Sequence, residues 1–420
     1  MTKLTNFLAQ KEKNFYKAQA MVSDNQSVLM FKVNYPSLSK LNGFTMFVFY
    51  ECIHTLKLED IDITYSQHGI EGIMISEEDP IVLKQRFVTF ENTHPLGRLI
   101  DIDVLTKHKM IGRIDINEPL RRCYLCENIA HVCIVNQTHT TVEVQQAFID
   151  RVIDYCKFNK EKTAALAMYC ECATTPSFGR VTPYTSGIHS DMDISTFIVS
   201  IQSIAPYFNK VSDIDPSLSD KQYFMALRNL GMCMEEAMLK ATNNINTHKG
   251  FIFLALMLFG AYHKYPNQAL QTSIKQLALF LKEDFDLQPD TAGLEWSKKA
   301  DIKSIRHHAL EGFSEIIKTQ NTLHKNMKRY EDINDAFAST LLTCMSFVDD
   351  TTILKRAGLT TLHTIQQKAS TISQDKEKWE AFSKECIAYN ISPGGSADVL
   401  ALLVILRVFF YDKGEEILWK

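Results

Sequence analysis

The sequence predicts a two-domain protein, an N-terminal α+β domain followed by a larger all-α domain. Three observations carry that expectation. The chain has 420 residues, enough for two or three cores. Its first 140 or so residues contain short β-branched and aromatic runs, and beyond about residue 160 only helical spacings remain. No internal repeat or low-complexity linker intervenes, and the boundary is expected in "KFNKEK" at 157–162, giving domains of 1–157 and 158–420.

Taken in order, the strand candidates are "SVLMFKVNY", "TMFVFYECI", "QRFVTFE" and "RLIDIDVL". An amphipathic helix follows, with Val144, Phe148, Val152 and Tyr155 on one face. The second domain is expected to contain helices near 193–208, 221–241, 250–263, 268–284, 301–327, 334–348, 352–371, 376–389 and 396–412. The apolar runs "GFIFLALMLFGAY" and "ADVLALLVILRVFFY" fall short of the roughly 20 residues that span a bilayer, so both read as core helices. The polar N-terminus has no signal-peptide pattern, and ten scattered cysteines suit free thiols. A soluble, cytoplasmic protein is expected, with no membrane partner. A net charge of −4 argues against a nucleic-acid partner.

Within "GRLIDIDVL" a strand places Asp101 and Asp103 on one face, with Ile100, Ile102 and Val104 on the other. Two carboxylates so placed repel each other unless they share a divalent cation, the arrangement that serves phosphoryl and nucleotidyl transfer. For a bare D-x-D, a solvent-facing polar alternation is the more common explanation. Cys123, Cys126, Cys133 and His139 have spacing C-x₂-C-x₆-C-x₅-H, a candidate zinc set tighter than the usual paired knuckles. Ordinary buried thiols are the reading this spacing favours.

These N-terminal stretches, with G-R-x-x-D-x-D-V followed by R-x-C-x-x-C, resemble the apo-citrate lyase phosphoribosyl-dephospho-CoA transferases over most of residues 1–157. The resemblance implies a nucleotidyltransferase-like domain. It would transfer phosphoribosyl-dephospho-CoA from its triphosphate to a serine of the apo acyl carrier subunit of citrate lyase, releasing pyrophosphate. Arg98, Asp101 and Asp103 would be its catalytic residues, the aspartates holding Mg²⁺. The chain departs from the family at "CIVNQTH" and at Lys11 and Lys13.

Four polar motifs in the second half fall at helix starts, where free amides and the helix dipole favour anions. They are "GIHSDMDIST", "NINTHKGFIF", "SFVDDTTILKRAG" and "ISPGGSADVLAL"; "SIRHHALEGF" adds a further polar cluster. Each has a structural explanation as a cap, turn or solvated face. Together the four resemble triphosphoribosyl-dephospho-CoA synthase from about residue 160 onward. In that family ATP and 3′-dephospho-CoA give the triphosphoribosyl product and adenine. The resemblance implies catalytic roles for His189, Asp191, Asp193, His248 and Lys249. It implies nucleotide contacts at Asn246, Thr247, Arg356, Gly394, Gly395, Ser396 and Asp398. Mg²⁺ is expected at Asp191, Asp193, Asp349 or Asp350. Here "PSFGRVT", Thr352 and Ala357 depart from the family pattern. The competing readings are a metal-dependent phosphohydrolase and a carrier-docking protein with only the N-terminal activity.

Overall fold

The computed structural model describes residues 3–23, 26–37, 39–283 and 292–410. It divides into two compact units at Tyr155/Cys156, against the expected 157/158.

The first unit is a five-stranded antiparallel sheet with helices. Its strands are β1 (Ser27–Val33), β2 (Asp62–Ser66), β3 (Gly69–Ser76), β4 (Ile100–Leu105) and β5 (Met110–Ile111), in the order β2-β3-β1-β4-β5. The helices are α1 (Lys3–Met21), α2 (Gly43–Leu56), α3 (Pro80–Thr93), α4 (Ala130–Val135) and α5 (Thr141–Cys156). Two expected strands, 45–53 and 85–91, are the helices α2 and α3. A short apolar run does not distinguish a buried helix from a strand, and the flanking caps decide. Asn42 forms a reciprocal capping box with Thr45. Asp79 accepts from the amides of Ile81 and Val82, with Pro80 at the first helical position. The β2–β3 hairpin was not expected, because "DITYS" and "GIEGIMIS" are short and carry weak alternation.

The second unit is helical, and its only β pairing among the described residues is the isolated bridge Thr182–Thr185. Its helices are α6 (Lys160–Ala173), α7 (Ile194–Ile204), α8 (Asp220–Ala241), α9 (Lys249–Lys264), α10 (Leu270–Ala278) and α11 (Ala292–Ala300). They continue with α12 (Ile305–Leu310), α13 (Ser314–Arg329), α14 (Ile333–Phe347), α15 (Thr351–Ile372), α16 (Lys376–Ala388) and α17 (Gly394–Phe409). A 3₁₀ segment, Ala205–Asp213, extends α7. The expected helix 301–327 is two helices. Gly312 and Phe313 adopt left-handed backbone, and a Cβ on Gly312 would lie 2.4 Å from the Gln271 carbonyl. Residue 284 and residues 411–412 of the expected helices lie outside the described residues.

The core is built on α6, α9, α14 and α17. From Thr163 to Ala173 every residue of α6 is buried, so the helix has no polar face to reveal its period. On α17, Val399 to Leu406 are all buried. No described helix is long and apolar enough to cross a membrane.

Candidate active sites

In the first unit the D-x-D expectation holds geometrically. Ile100, Ile102 and Val104 are fully buried, while Asp101 and Asp103 lie partly exposed on the other face. The register sets Glu71 of β3, Lys32 of β1 and Asp101 of β4 in one row, alternating in charge across the sheet. Between the aspartates lies an ammonium: Lys32 Nζ is 2.7 Å from Asp103 and 3.4 Å from Asp101. Burial disfavours its charge, but Asp103 and Asp101 outweigh that and raise Lys32 to about 12. Lys32 is the one charged residue in the strand SVLMFKV, a signal visible in the sequence and not used. A pocket of 210 Å³ opens here, lined by Asn14, Met30, Lys32, Glu71 and Asp103 among others.

Asp101 also meets Arg121 at 3.2 Å, and Arg121 and Arg113 share the buried carboxylate of Glu91 at 2.7 and 2.5 Å. Burial pushes Asp101 up, yet Lys32, Arg121 and Lys84 hold it below the usual carboxylate range. Arg98 has no hydrogen bond or ion pair among the described residues. Burial and the like charges of Arg121 and Arg113, with a smaller part from Arg151, lower its pKa against the opposing carboxylate of Glu91.

Cys123, Cys126, Cys133 and His139 come together, their ligand atoms all within 4.8 Å of one another.

In the second unit the polar helix starts are answered chiefly by the protein's own carboxylates. Asp193 caps α7 in a reciprocal box with Thr196 and also accepts from Ser195. These hydrogen bonds, Ser195's foremost, lower its pKa. Asp350 is fully buried and serves two helices. One oxygen takes the amides of Thr352 and Ile353 on α15; the other takes the amide and hydroxyl of Ser396 on α17, at 2.8 and 3.0 Å. Burial raises its pKa against those donors. Asp398, on α17, accepts from the Phe251 amide of α9. A Cβ on Gly250 would lie 2.0 Å from its carboxylate, so only glycine admits this approach. Burial, then Glu171 and Asp350, push Asp398 well above the usual range. The starts of α9, α15 and α17 are thus tied by two aspartates.

His189 sits beside this framework. Its Nε2 is 3.1 Å from Ser392 Oγ, its Nδ1 is 3.9 Å from Asp191, and burial and Arg356 lower its pKa, keeping it neutral. Asp191 is 62% exposed. His248 is buried, with Nδ1 2.7 Å from Ser200 Oγ and 3.1 Å from Thr247 Oγ1. Lys249 pairs with Glu235 at 2.6 Å, and Asn246 accepts from the Lys249 amide.

Several expectations therefore change. His248, expected as a catalytic residue, carries a neutral ring near pH 7, because burial lowers it to about 3. Gly394 and Gly395 do not present a free phosphate cradle: their amides serve Ser392 and Asp350. Asp191, Asp193, Asp349 and Asp350, expected as candidate Mg²⁺ ligands, are not gathered into one group of three or more. Asp349 instead accepts from Lys303 and Gln366, and the cysteine–histidine set is the one metal-type cluster among the described residues. Of the sequence departures, Arg180 is buried and pairs with Glu171 at 2.5 Å. Ala357 does not have positive φ; the retained Gly358 takes that conformation, at 82°. The side chain of Thr352 lies against Gly394, where a Cβ would come within 3.1 Å of its hydroxyl. Sequence reasoning did not single out Glu171, Ser392 or Glu91 as members of these networks.

Comparison with known proteins matches both units. Residues 159–415 fit the family described as ATP:dephospho-CoA triphosphoribosyl transferase. Residues 2–155 fit the family described as apo-citrate lyase phosphoribosyl-dephospho-CoA transferase. A "Protein CitXG" of Haemophilus influenzae is 27% identical over 96% of this chain and 95% of its own length. One of Leuconostoc mesenteroides is 27% identical over 93% of each. A probable 2-(5''-triphosphoribosyl)-3'-dephosphocoenzyme-A synthase of Vibrio cholerae is 31% identical over 56% of this chain and 83% of its own. The chain belongs to the ATP:dephospho-CoA triphosphoribosyl transferase family, carries an apo-citrate lyase phosphoribosyl-dephospho-CoA transferase domain ahead of it, and is a transferase in both halves.

Proposed function

We propose that the second unit makes 2′-(5″-triphosphoribosyl)-3′-dephospho-CoA and the first attaches it. In the synthase step the 2′-hydroxyl of 3′-dephospho-CoA attacks C1 of the ATP ribose, the C1–N bond to adenine breaks, and the hydroxyl proton ends on adenine. The observation that carries the residue assignment is the group His189–Ser392–Asp191–Arg356. Asp191 is exposed and free of capping duty, which makes it the better base than Asp193. His189, neutral and held by Ser392, stands beside it with Nδ1 3.9 Å from its carboxylate. Arg356 and Lys249 are the cations for the triphosphate, and Asp350 and Asp398 position the helix starts. Mg²⁺ in this proposal arrives on the ATP triphosphate, where it would supply charge neutralisation.

The first unit is a nucleotidyltransferase-like domain in this reading. A serine hydroxyl of the apo acyl carrier subunit attacks the phosphorus next to the ribose and pyrophosphate leaves. Arg98 binds the departing phosphates, and Asp103, anchored by Lys32, faces the reacting groups. Mg²⁺ at the Asp101–Asp103 pair would have to displace Lys32, so no step is assigned to it there.

Release of adenine from ATP and 3′-dephospho-CoA, followed by mass spectrometry, tests the synthase assignment. Asp191→Asn should lower kcat about 100-fold or more with little change in KM for ATP. Unchanged kcat in Asp191→Asn would remove Asp191 from the mechanism.

A further inference from the structure

The segment from 117 to 147 has almost no core of its own. Cys133 is its one buried residue, while Leu120, Leu125, Ile129, Val132, Ile134, Val135 and Val142 are exposed. About thirty residues without buried apolar surface need another source of order, as small domains do. The backbone supplies a frame: Cys123 donates to Asn128, Ala130 donates to Arg121, and Arg122 bridges Ile129, closing a hairpin whose loop carries Cys126. The Leu125 amide points at Cys123 Sγ, 3.4 Å away, and α4 presents Cys133.

Four soft donors meet at that place. Cys126 Sγ is 3.4 Å from Cys133 Sγ and 3.3 Å from His139 Nε2, and all four ligand atoms lie within 4.8 Å of one another. Zinc–sulfur bonds of about 2.3 Å in a tetrahedron give ligand separations of roughly 3.8 Å, which this cluster brackets. Four protein donors close the coordination shell, and three thiolates with one imidazole favour Zn²⁺ over oxygen-seeking cations. We infer that Cys123, Cys126, Cys133 and His139 form a structural zinc site that orders residues 117–147. The metal is not a reactant. Its consequence for function passes through Arg121, two residues before the first ligand, which contacts Asp101 and Glu91. Tyr124, between the first two ligands, packs under Arg151. This inference stands whether or not the residue roles proposed above hold.

The test uses the full chain, purified without chelator and then equilibrated with zinc sulfate before removal of free metal. Elemental analysis should give one zinc per chain. Cobalt substitution should give the visible bands of tetrahedral Co²⁺ with a thiolate-to-metal transition in the near ultraviolet. His139→Cys should retain the stoichiometry and Cys126→Ser should lose it, while replacement of the exposed Cys233 by serine should change neither. Folded protein, by circular dichroism, that holds less than about a tenth of an equivalent of zinc after equilibration would overturn the site. So would isolation of the chain with Cys126 and Cys133 quantitatively in a disulfide.

Discussion

At the scale of single residues, aspartates expected to hold a metal or a nucleotide act first as caps. Asp193 and Asp350, expected as metal ligands, and Asp398, expected as a nucleotide contact, each accept backbone amides at a helix start. That bland role was legible for each motif taken alone. Its exclusivity was not, because which amides remain free depends on contacts 46 residues or more apart, as between Asp350 and Ser396. The placement of Asp101 and Asp103 followed from a two-residue period, whereas their neutralisation by Lys32 required the strand register. His248 supplies a prediction at this scale. Burial lowers its pKa from 6.5 to about 3, so the neutral ring contributes stability that is complete above pH 6.5 and is lost as pH falls toward 3. One proton corresponds to a slope of about 1.4 kcal/mol per pH unit. Urea titrations between pH 6.5 and 4 should show a slope shallower by up to that amount in His248→Gln, and equal slopes would mean the ring titrates normally.

Among the elements, the sequence-based reading succeeds where one face is polar and fails where a helix is buried all round. α5 and α8 show an apolar stripe; α2 and α6 do not, and only caps mark their starts. The Asn42 box and the Asp79–Pro80 start lay in plain sight and would have corrected the two false strands. The junction of α9 with α17 rests on Gly250, whose Cα faces the Asp398 carboxylate. Gly250→Ala would place a methyl 2.0 Å from an oxygen, so either the first turn of α9 or the Asp398 carboxylate must shift and the tie between α9 and α17 is lost. Adenine release should fall at least tenfold while carrier loading from supplied intermediate stays within twofold of wild type. Equal loss of both activities would point instead to global unfolding.

For the whole molecule, the two-domain organisation followed from a change of periodicity, and the described division falls two residues before the expected one. The two family matches cover consecutive stretches, 2–155 and 159–415, so one chain unites two successive transfers. One product reports on both transfers at once. The most direct measurement is the intact mass of apo acyl carrier subunit after incubation with the protein, ATP, 3′-dephospho-CoA and Mg²⁺. The carrier should gain the mass of one phosphoribosyl-dephospho-CoA, dependent on both nucleotides, with adenine and pyrophosphate released in equal amounts. With Asp103→Asn, adenine should still appear while the carrier stays unmodified. An unmodified carrier and no free adenine with the wild-type chain would mean that it performs neither transfer.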